Sequence, residues 1–138
     1  MKTRIKSFAA ALVLTHLVVA NIHGWAHQGA MVSLTRLGYA YVALVVTLAP
    51  IVAAALLFTR WLKFAASLLT LSMLGSFAFG VWNHFLVSGT DNVTAVTGPW
   101  HSAFLWTAFA LAVLEFLGVI VGSWIYLTVN KASESVGA

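Results

Sequence analysis

Four long apolar stretches separated by short polar connections run through this chain, and they decide its fold class. A helix needs roughly 20 consecutive apolar residues to cross the hydrocarbon of a bilayer, and each stretch provides about that many. We therefore predict an all-α fold, an integral membrane bundle of four transmembrane helices that forms one domain over residues 1–138. The predicted spans cover about residues 7–26, 37–59, 62–87 and 103–129.

Composition agrees with a lipid environment. Hydrophobic residues make up 62% of the chain and charged residues only 7%, whereas a soluble domain is usually about a quarter charged. The chain has no cysteine, so disulfides, thiolate metal sites and thiol catalysis are excluded. Pro50 lies near the middle of the second span and predicts a kink there.

The basic residues predict the orientation of the bundle. If the chain crosses the membrane four times, Arg36 lies on one side and the other six lysines and arginines lie on the opposite side. Positively charged residues favour the cytoplasmic side. Both termini are then cytoplasmic, as expected for a protein of a bacterial or archaeal cytoplasmic (inner) membrane. The net charge of +4 is explained by this topology and predicts no nucleic-acid partner. The residues on the cytoplasmic side are Lys2, Arg4, Lys6, Arg60, Lys63 and Lys131.

The N-terminal segment has a second interpretation. A basic start followed by an apolar stretch also resembles a secretory signal. Cleavage after Ala26 would make His27 the new amino terminus, and an amino-terminal histidine chelates copper.

Four of the five histidines fall at the predicted outer rim. Their distances from the ends of the spans place them in two tiers, because a helix rises about 1.5 Å per residue. His23 and His84 form the deeper tier, and His27 and His101 form the tier closer to water. His16, His23 and His27 also follow one stripe of the first helix.

This arrangement indicates a metal or haem site. Imidazole is the commonest metal-ligating side chain, and facing histidines in a bundle can hold a haem or a bare ion. We take His23 and His84 as the first ligands, for haem b or copper, with zinc as a further candidate. His27 and His101 complete a four-histidine metal set, and Asp91 could add a carboxylate. The competing interpretation is that these are half-hydrated interfacial side chains.

A second polar pair is predicted at mid-membrane. Glu115 lies near the centre of the fourth span, where a carboxylate is costly unless it faces the bundle interior. His16 is the titratable partner at that depth, so the two form a buried polar pair or a proton relay. A structural hydrogen bond from Glu115 to a serine or threonine is the alternative. No titratable residue links Glu115 to the inner face, so a complete proton path is not predicted.

The leading functional hypothesis is a small membrane protein that binds haem or a copper-like metal for electron transfer or metal handling. On its own it is expected to be no enzyme, although it could serve a redox complex as a subunit. One alternative is a non-catalytic structural or assembly subunit, since Gly118 and Gly122 allow close helix approach. Another is a proton or small-cation transporter that uses Glu115 and His16. The expected partners are the lipid bilayer and other membrane subunits or a second copy.

Overall fold

The computed structural model describes residues 3–137, with side chains for residues 3–131, and this part of the chain is helical without a strand. All four main helices contain a stretch long and apolar enough to cross a membrane, which confirms the predicted all-helical class with four such helices. Lys2, counted above among the basic residues, lies outside the described residues. The helices are α1 (Thr3–Gly29), α2 (Arg36–Leu56), α3 (Leu62–Leu86) and α4 (His101–Gly137).

The two ends of the bundle differ in character. We call the end where α1 and α3 end and α2 and α4 begin the histidine end, because His23, His27 and His84 lie there. Basic residues cluster at the other end, where Lys63 Nζ donates to Asn130 Oδ1 at 2.6 Å. That bond joins the start of α3 to the end of the apolar part of α4. Which end faces the cytoplasm stays a prediction.

Helix α4 organises the packing. It packs against both α1 and α3. Helix α2 packs against α3, and its Ala49–Leu56 segment also contacts α1. The glycines of α4 serve this packing: a Cβ at Gly118 would come within 2.6 Å of Met73 Cγ. A Cβ at Gly122 would come within 2.5 Å of Thr70 Oγ1. The close approach predicted for these glycines is therefore used by α3 within the chain.

Two helices contain π-helical segments. In α2 the segment Val42–Leu48 lies just before Pro50, where the sequence predicts a kink, and the Ala49 N–H bonds to the Leu44 carbonyl five residues earlier. In α3 the last turn is π-helical over Trp82–Leu86. Such single-turn insertions change the direction of the side chains that follow and occur often at functional sites.

The apolar interior is split into two clusters. The larger fills the end away from the histidines and includes Val13, Leu57, Leu69, Met73 and Ile125. The smaller lies at the histidine end around the fully buried Phe104. The buried side chains of His23 and His84 lie at the histidine end, whereas His16 and Glu115 lie near the middle of the apolar stretches of α1 and α4.

Candidate metal centre

The first part of the site is built by the C-terminal end of α1. The Val32 N–H bonds to the His27 carbonyl and the Met31 N–H to the Gln28 carbonyl, at 2.9 and 3.1 Å. This pair of bonds is a Schellman cap, with Met31 in the left-handed conformation at φ 55°. The turn brings the Val32 carbonyl back over the helix end, where His27 Nδ1 bonds to it at 3.2 Å.

The second part is built by the end of α3 and the loop that follows it. The Val87 N–H bonds to the Trp82 carbonyl at 2.9 Å, the i to i+5 step of a π-turn that includes His84. The loop then folds back, with the Val93 N–H bonded to the His84 carbonyl at 3.0 Å. As a result the backbone and the carboxylate of Asp91 both lie beside the His84 ring.

The three imidazole rings of His23, His27 and His84 converge. The Nε2 atom of His23 lies 3.1 Å from Nε2 of His84 and 3.2 Å from Nε2 of His27. One ligating nitrogen from each ring lies within 4.8 Å of the other two. His23 and His84 are buried and His27 is largely so. We call this group the histidine triad, and it could hold a metal ion.

The outer nitrogens of two rings fix their tautomers. His27 Nδ1 lies 3.2 Å from the Val32 carbonyl, and His84 Nδ1 lies 2.9 Å from the Asp91 carbonyl. A carbonyl oxygen can only accept, so the Nδ1 atoms carry the hydrogens in both rings. The Nε2 atoms of the neutral rings are then unprotonated, with lone pairs directed into the triad.

His23 reaches the same tautomer through a hydroxyl. Its Nδ1 lies 2.8 Å from Thr107 Oγ1. When that hydroxyl donates its hydrogen to the Ala103 carbonyl at 2.6 Å, it accepts the hydrogen of His23 Nδ1. In that arrangement the third Nε2 lone pair also points into the triad.

Three facing lone pairs could be satisfied by a cation between them. A single proton satisfies one nitrogen–nitrogen contact, whereas a metal ion satisfies all three nitrogens at once. Bonds of about 2.0–2.1 Å in tetrahedral geometry place ligand nitrogens about 3.3 Å apart. The separations of 3.1 and 3.2 Å from His23 lie close to that spacing, and the ligand atoms of His27 and His84 lie within 4.8 Å of each other. Ligating histidines also characteristically donate their other ring N–H to a carbonyl or similar acceptor, as all three do here.

Asp91 adds a carboxylate at the edge of the triad. Its Oδ1 lies 3.4 Å from His27 Nε2 and 3.2 Å from His84 Nδ1. The carboxylate is buried, and its Oδ2 has no hydrogen-bond partner among the described residues. A buried carboxylate with so few donors is costly, and a cation in the triad would stabilise it.

His101 is placed apart from the triad. It is the first residue of α4, is half-buried, and does not belong to the group of convergent ligands. The position on α4 that faces the triad is taken by Phe104, whose ring centroid lies 4.8–5.3 Å from all three imidazoles. His101 lies three residues before Phe104, nearly one turn closer to the start of α4. The three imidazole rings pack around Phe104, deeper in the bundle than His101. The two-tier grouping thus reduces to His23, His27 and His84 in one group.

His16 and Glu115 meet as a buried pair. His16 Nε2 lies 3.2 Å from Glu115 Oε1, and the residues are 0% and 3% exposed. His16 Nδ1 has no hydrogen-bond partner among the described residues. A Cβ built on Gly80 would lie 3.7 Å from Glu115 Oε2 and 4.0 Å from His84 Cδ2, so the carboxylate reaches toward the triad.

A cavity of about 480 Å³ connects the two polar groups. Its lining includes His23, His27, His84 and Asp91 at one end and Glu115 at the other. Toward the end of the bundle away from the histidines, the larger apolar cluster closes the interior. The cavity is therefore a pocket with one polar end at the triad and one at Glu115.

Sequence reasoning did not find four contributors to the site. Thr107 and the carbonyls of Val32 and Asp91 hold the outer nitrogens of the rings, and Phe104 packs against all three. Thr107 lies on the same face of α4 as Phe104, but a threonine bonded to its own helix backbone has no distinguishing sequence signal. Comparison with known proteins gives no match to a family profile, a curated protein or a solved structure.

Proposed function

We propose that this protein is a small membrane protein that binds one divalent first-row transition metal ion through the Nε2 atoms of His23, His27 and His84. The observation that carries the proposal is the convergence of three imidazole nitrogens, while each Nδ1 lies within hydrogen-bond distance of an oxygen atom. Asp91 supplies the fourth ligand, because its buried carboxylate lies at the edge of the triad, with Oδ1 3.4 Å from His27 Nε2.

The donor set favours zinc or copper. Imidazole and carboxylate ligands without a thiolate suit Zn²⁺, and three histidines with one further donor form a common zinc environment. Cu²⁺ binds the same donors more tightly in general, so the metal supplied in the cell contributes to the choice. We take Zn²⁺ as the first expectation and Cu²⁺ as the second.

A bare ion is preferred over haem. A porphyrin lies between its two axial imidazoles, but the Nε2 atoms of His23 and His84 are 3.1 Å apart. The rings of His27 and Phe104 also pack against both of them. We therefore propose metal handling or metal-dependent chemistry and not haem-based electron transfer.

The membrane setting is part of the proposal. The four apolar helices cross the bilayer with both termini in the cytoplasm, which puts the triad at the outer surface of a bacterial or archaeal cytoplasmic membrane. The clustering of basic residues at the end away from the histidines supports this orientation. A C-terminal reporter that is active only in the cytoplasm tests it, and activity of a periplasmic reporter there would reverse the orientation.

A second candidate function is proton exchange between the metal site and the buried pair. The contact of 3.2 Å between His16 and Glu115, together with the cavity that Glu115 shares with the triad, favours it. The apolar cluster beyond Glu115 argues against a path through the whole membrane. The alternative of an assembly subunit loses one support, because α3 already covers Gly118 and Gly122.

The experiment is elemental analysis of the purified protein. The chain is purified in mild detergent, stripped with chelator, reloaded with Zn²⁺ or Cu²⁺, and dialysed. We expect about one ion per chain for the wild type and for His101→Ala, and a marked loss for His84→Ala. An absorption spectrum of the protein as isolated tests haem. Absence of bound metal after reloading would reject the proposal.

A further inference from the structure

The cavity beside the triad exists because small residues face one another. On α1 these are Ala20 and Gly24, one turn apart, and on α3 and α4 they are Gly80 and Ala108. Larger side chains at these positions would fill the space between the helices. A volume of about 480 Å³ lies within the range of small-molecule pockets, which is roughly 300–1,000 Å³.

The lining of the cavity is mostly apolar between its two titratable ends. Val42, Val46, Phe79 and Leu111 contribute to it, and polar side chains come from Gln28, Ser33, Tyr39 and Ser76. A mostly apolar wall with a titratable group at each end suits an amphiphilic molecule. The cavity therefore has the lining of a ligand site.

The position of the cavity indicates how a ligand enters. Helix α1 packs against the Ala49–Leu56 segment of α2, whereas the cavity is lined by Val42 and Val46 from the other half of that helix. The cavity thus lies between α1 and the part of α2 nearer the histidine end. A lipid-soluble molecule can reach this space from the bilayer.

We propose that this cavity binds a lipid-soluble molecule with an oxygen-donor head group, such as a carboxyl or hydroxamate, and an unbranched apolar chain. The head group adds a fifth donor to the ion held by the triad and Asp91, since zinc can expand its coordination to five. The chain lies along the apolar wall toward Glu115. This inference rests on the proposed metal site and adds the class of ligand to it.

Two probes with the same head group separate the contribution of the chain. Octanohydroxamic acid has a metal-binding head and an apolar chain, and acetohydroxamic acid has the head with a single methyl group. Binding of each is measured on the zinc-loaded protein in nanodiscs, and zinc is quantified afterwards to show that the probe has not removed it. We expect octanohydroxamic acid to bind only when zinc is present.

Gly24→Leu tests whether the chain occupies the cavity. A Cβ at Gly24 meets nothing within 4 Å, so the leucine extends into open space of the cavity without a backbone clash. We expect Gly24→Leu to weaken the binding of octanohydroxamic acid by about tenfold or more. The affinity for acetohydroxamic acid and the zinc content should be unchanged. Gly89→Leu is the matched control, because its Cβ is equally unobstructed but it does not line this cavity.

The outcomes distinguish the two proposals. Zinc that binds normally, with octanohydroxamic acid unaffected by Gly24→Leu, would overturn the cavity proposal and leave the metal site standing. Equal binding of octanohydroxamic acid with and without zinc would reject the head-group contact. If the protein takes up no zinc, both proposals are overturned.

Discussion

The Nε2 atoms of His23 and His84 lie 3.1 Å apart, although 61 residues separate them in the chain. One lies near the end of α1 and the other in the π-helical turn of α3, and both helices pack against α4. Phe104 and Thr107 of α4 contact the His23 ring from the same helix face. The contact between the two histidines is therefore fixed by how three helices pack together.

Removing one imidazole should remove most of the metal affinity. We expect His23→Ala and His84→Ala each to weaken zinc binding by about 100-fold or more, because two ligands with Asp91 leave the ion undercoordinated. His101→Ala, a histidine at the same end but outside the triad, should bind zinc within about twofold of the wild type. Competition against a chelator of known affinity measures the three. Equal losses in all three would show that the triad is not the site.

Thr107 should matter although it touches no metal. Its Oγ1 holds His23 Nδ1 at 2.8 Å, and loss of such a partner usually lowers metal affinity by about 10–100-fold. We therefore expect Thr107→Val to weaken zinc binding by that factor with little change in thermal stability. Thr128→Val is the control, because Thr128 makes a similar bond to its own helix backbone far from the triad. Unchanged affinity in Thr107→Val would mean that His23 needs no orienting partner.

The sequence predicted the helices and the depth of the histidines, because both follow from hydropathy and from a fixed rise per residue. The pairing of His23 with His84 and the contact of His16 with Glu115 agree with those depths. Depth alone says nothing of rotation about the helix axis. For that reason, the predicted metal set included His101 together with His27.

The remaining features depend on local backbone geometry that hydropathy does not encode. The π-helical turn sets the direction of His84, and the loop after it carries Asp91 back into the site. The cap at Met31 positions the Val32 carbonyl for His27. Each is a departure from the regular helix on which the sequence argument depended, so each could only be found in the structure.

Asp91 should act through its charge. Asp91→Asn keeps the size of the side chain and leaves the backbone carbonyl that holds His84 in place. We expect zinc affinity to fall by about tenfold or more, because a neutral amide is a poorer ligand than a carboxylate. Equilibrium dialysis with zinc measures the change. If Asp91→Asn bound zinc with wild-type affinity, Asp91 would not be a ligand and only the three histidines would remain in the proposed site.

The buried pair should show strong non-additivity. Removing one member leaves the other buried without its partner, whereas removing both leaves an apolar contact. We expect His16→Leu and Glu115→Leu each to lower the free energy of unfolding by about 3 kcal/mol, and the double variant to be more stable than the sum of the two predicts. Unfolding in mild detergent measures the cycle. Additive losses would mean that the contact at 3.2 Å contributes no coupling.

Replacing Met31 with glycine should stabilise the protein. It adopts φ 55° at the cap of α1 and is 88% exposed, so it has backbone strain and little packing to lose. The left-handed conformation costs a residue with a Cβ roughly 1–2 kcal/mol, so Met31→Gly should raise the free energy of unfolding by about 1 kcal/mol. Met31→Ala keeps the Cβ and should stay close to wild type. Because the cap presents the Val32 carbonyl to His27, zinc affinity in Met31→Gly should be retained. A loss of stability in Met31→Gly, with Met31→Ala unchanged, would mean that the flexibility of glycine in the unfolded chain outweighs the relieved strain at this cap.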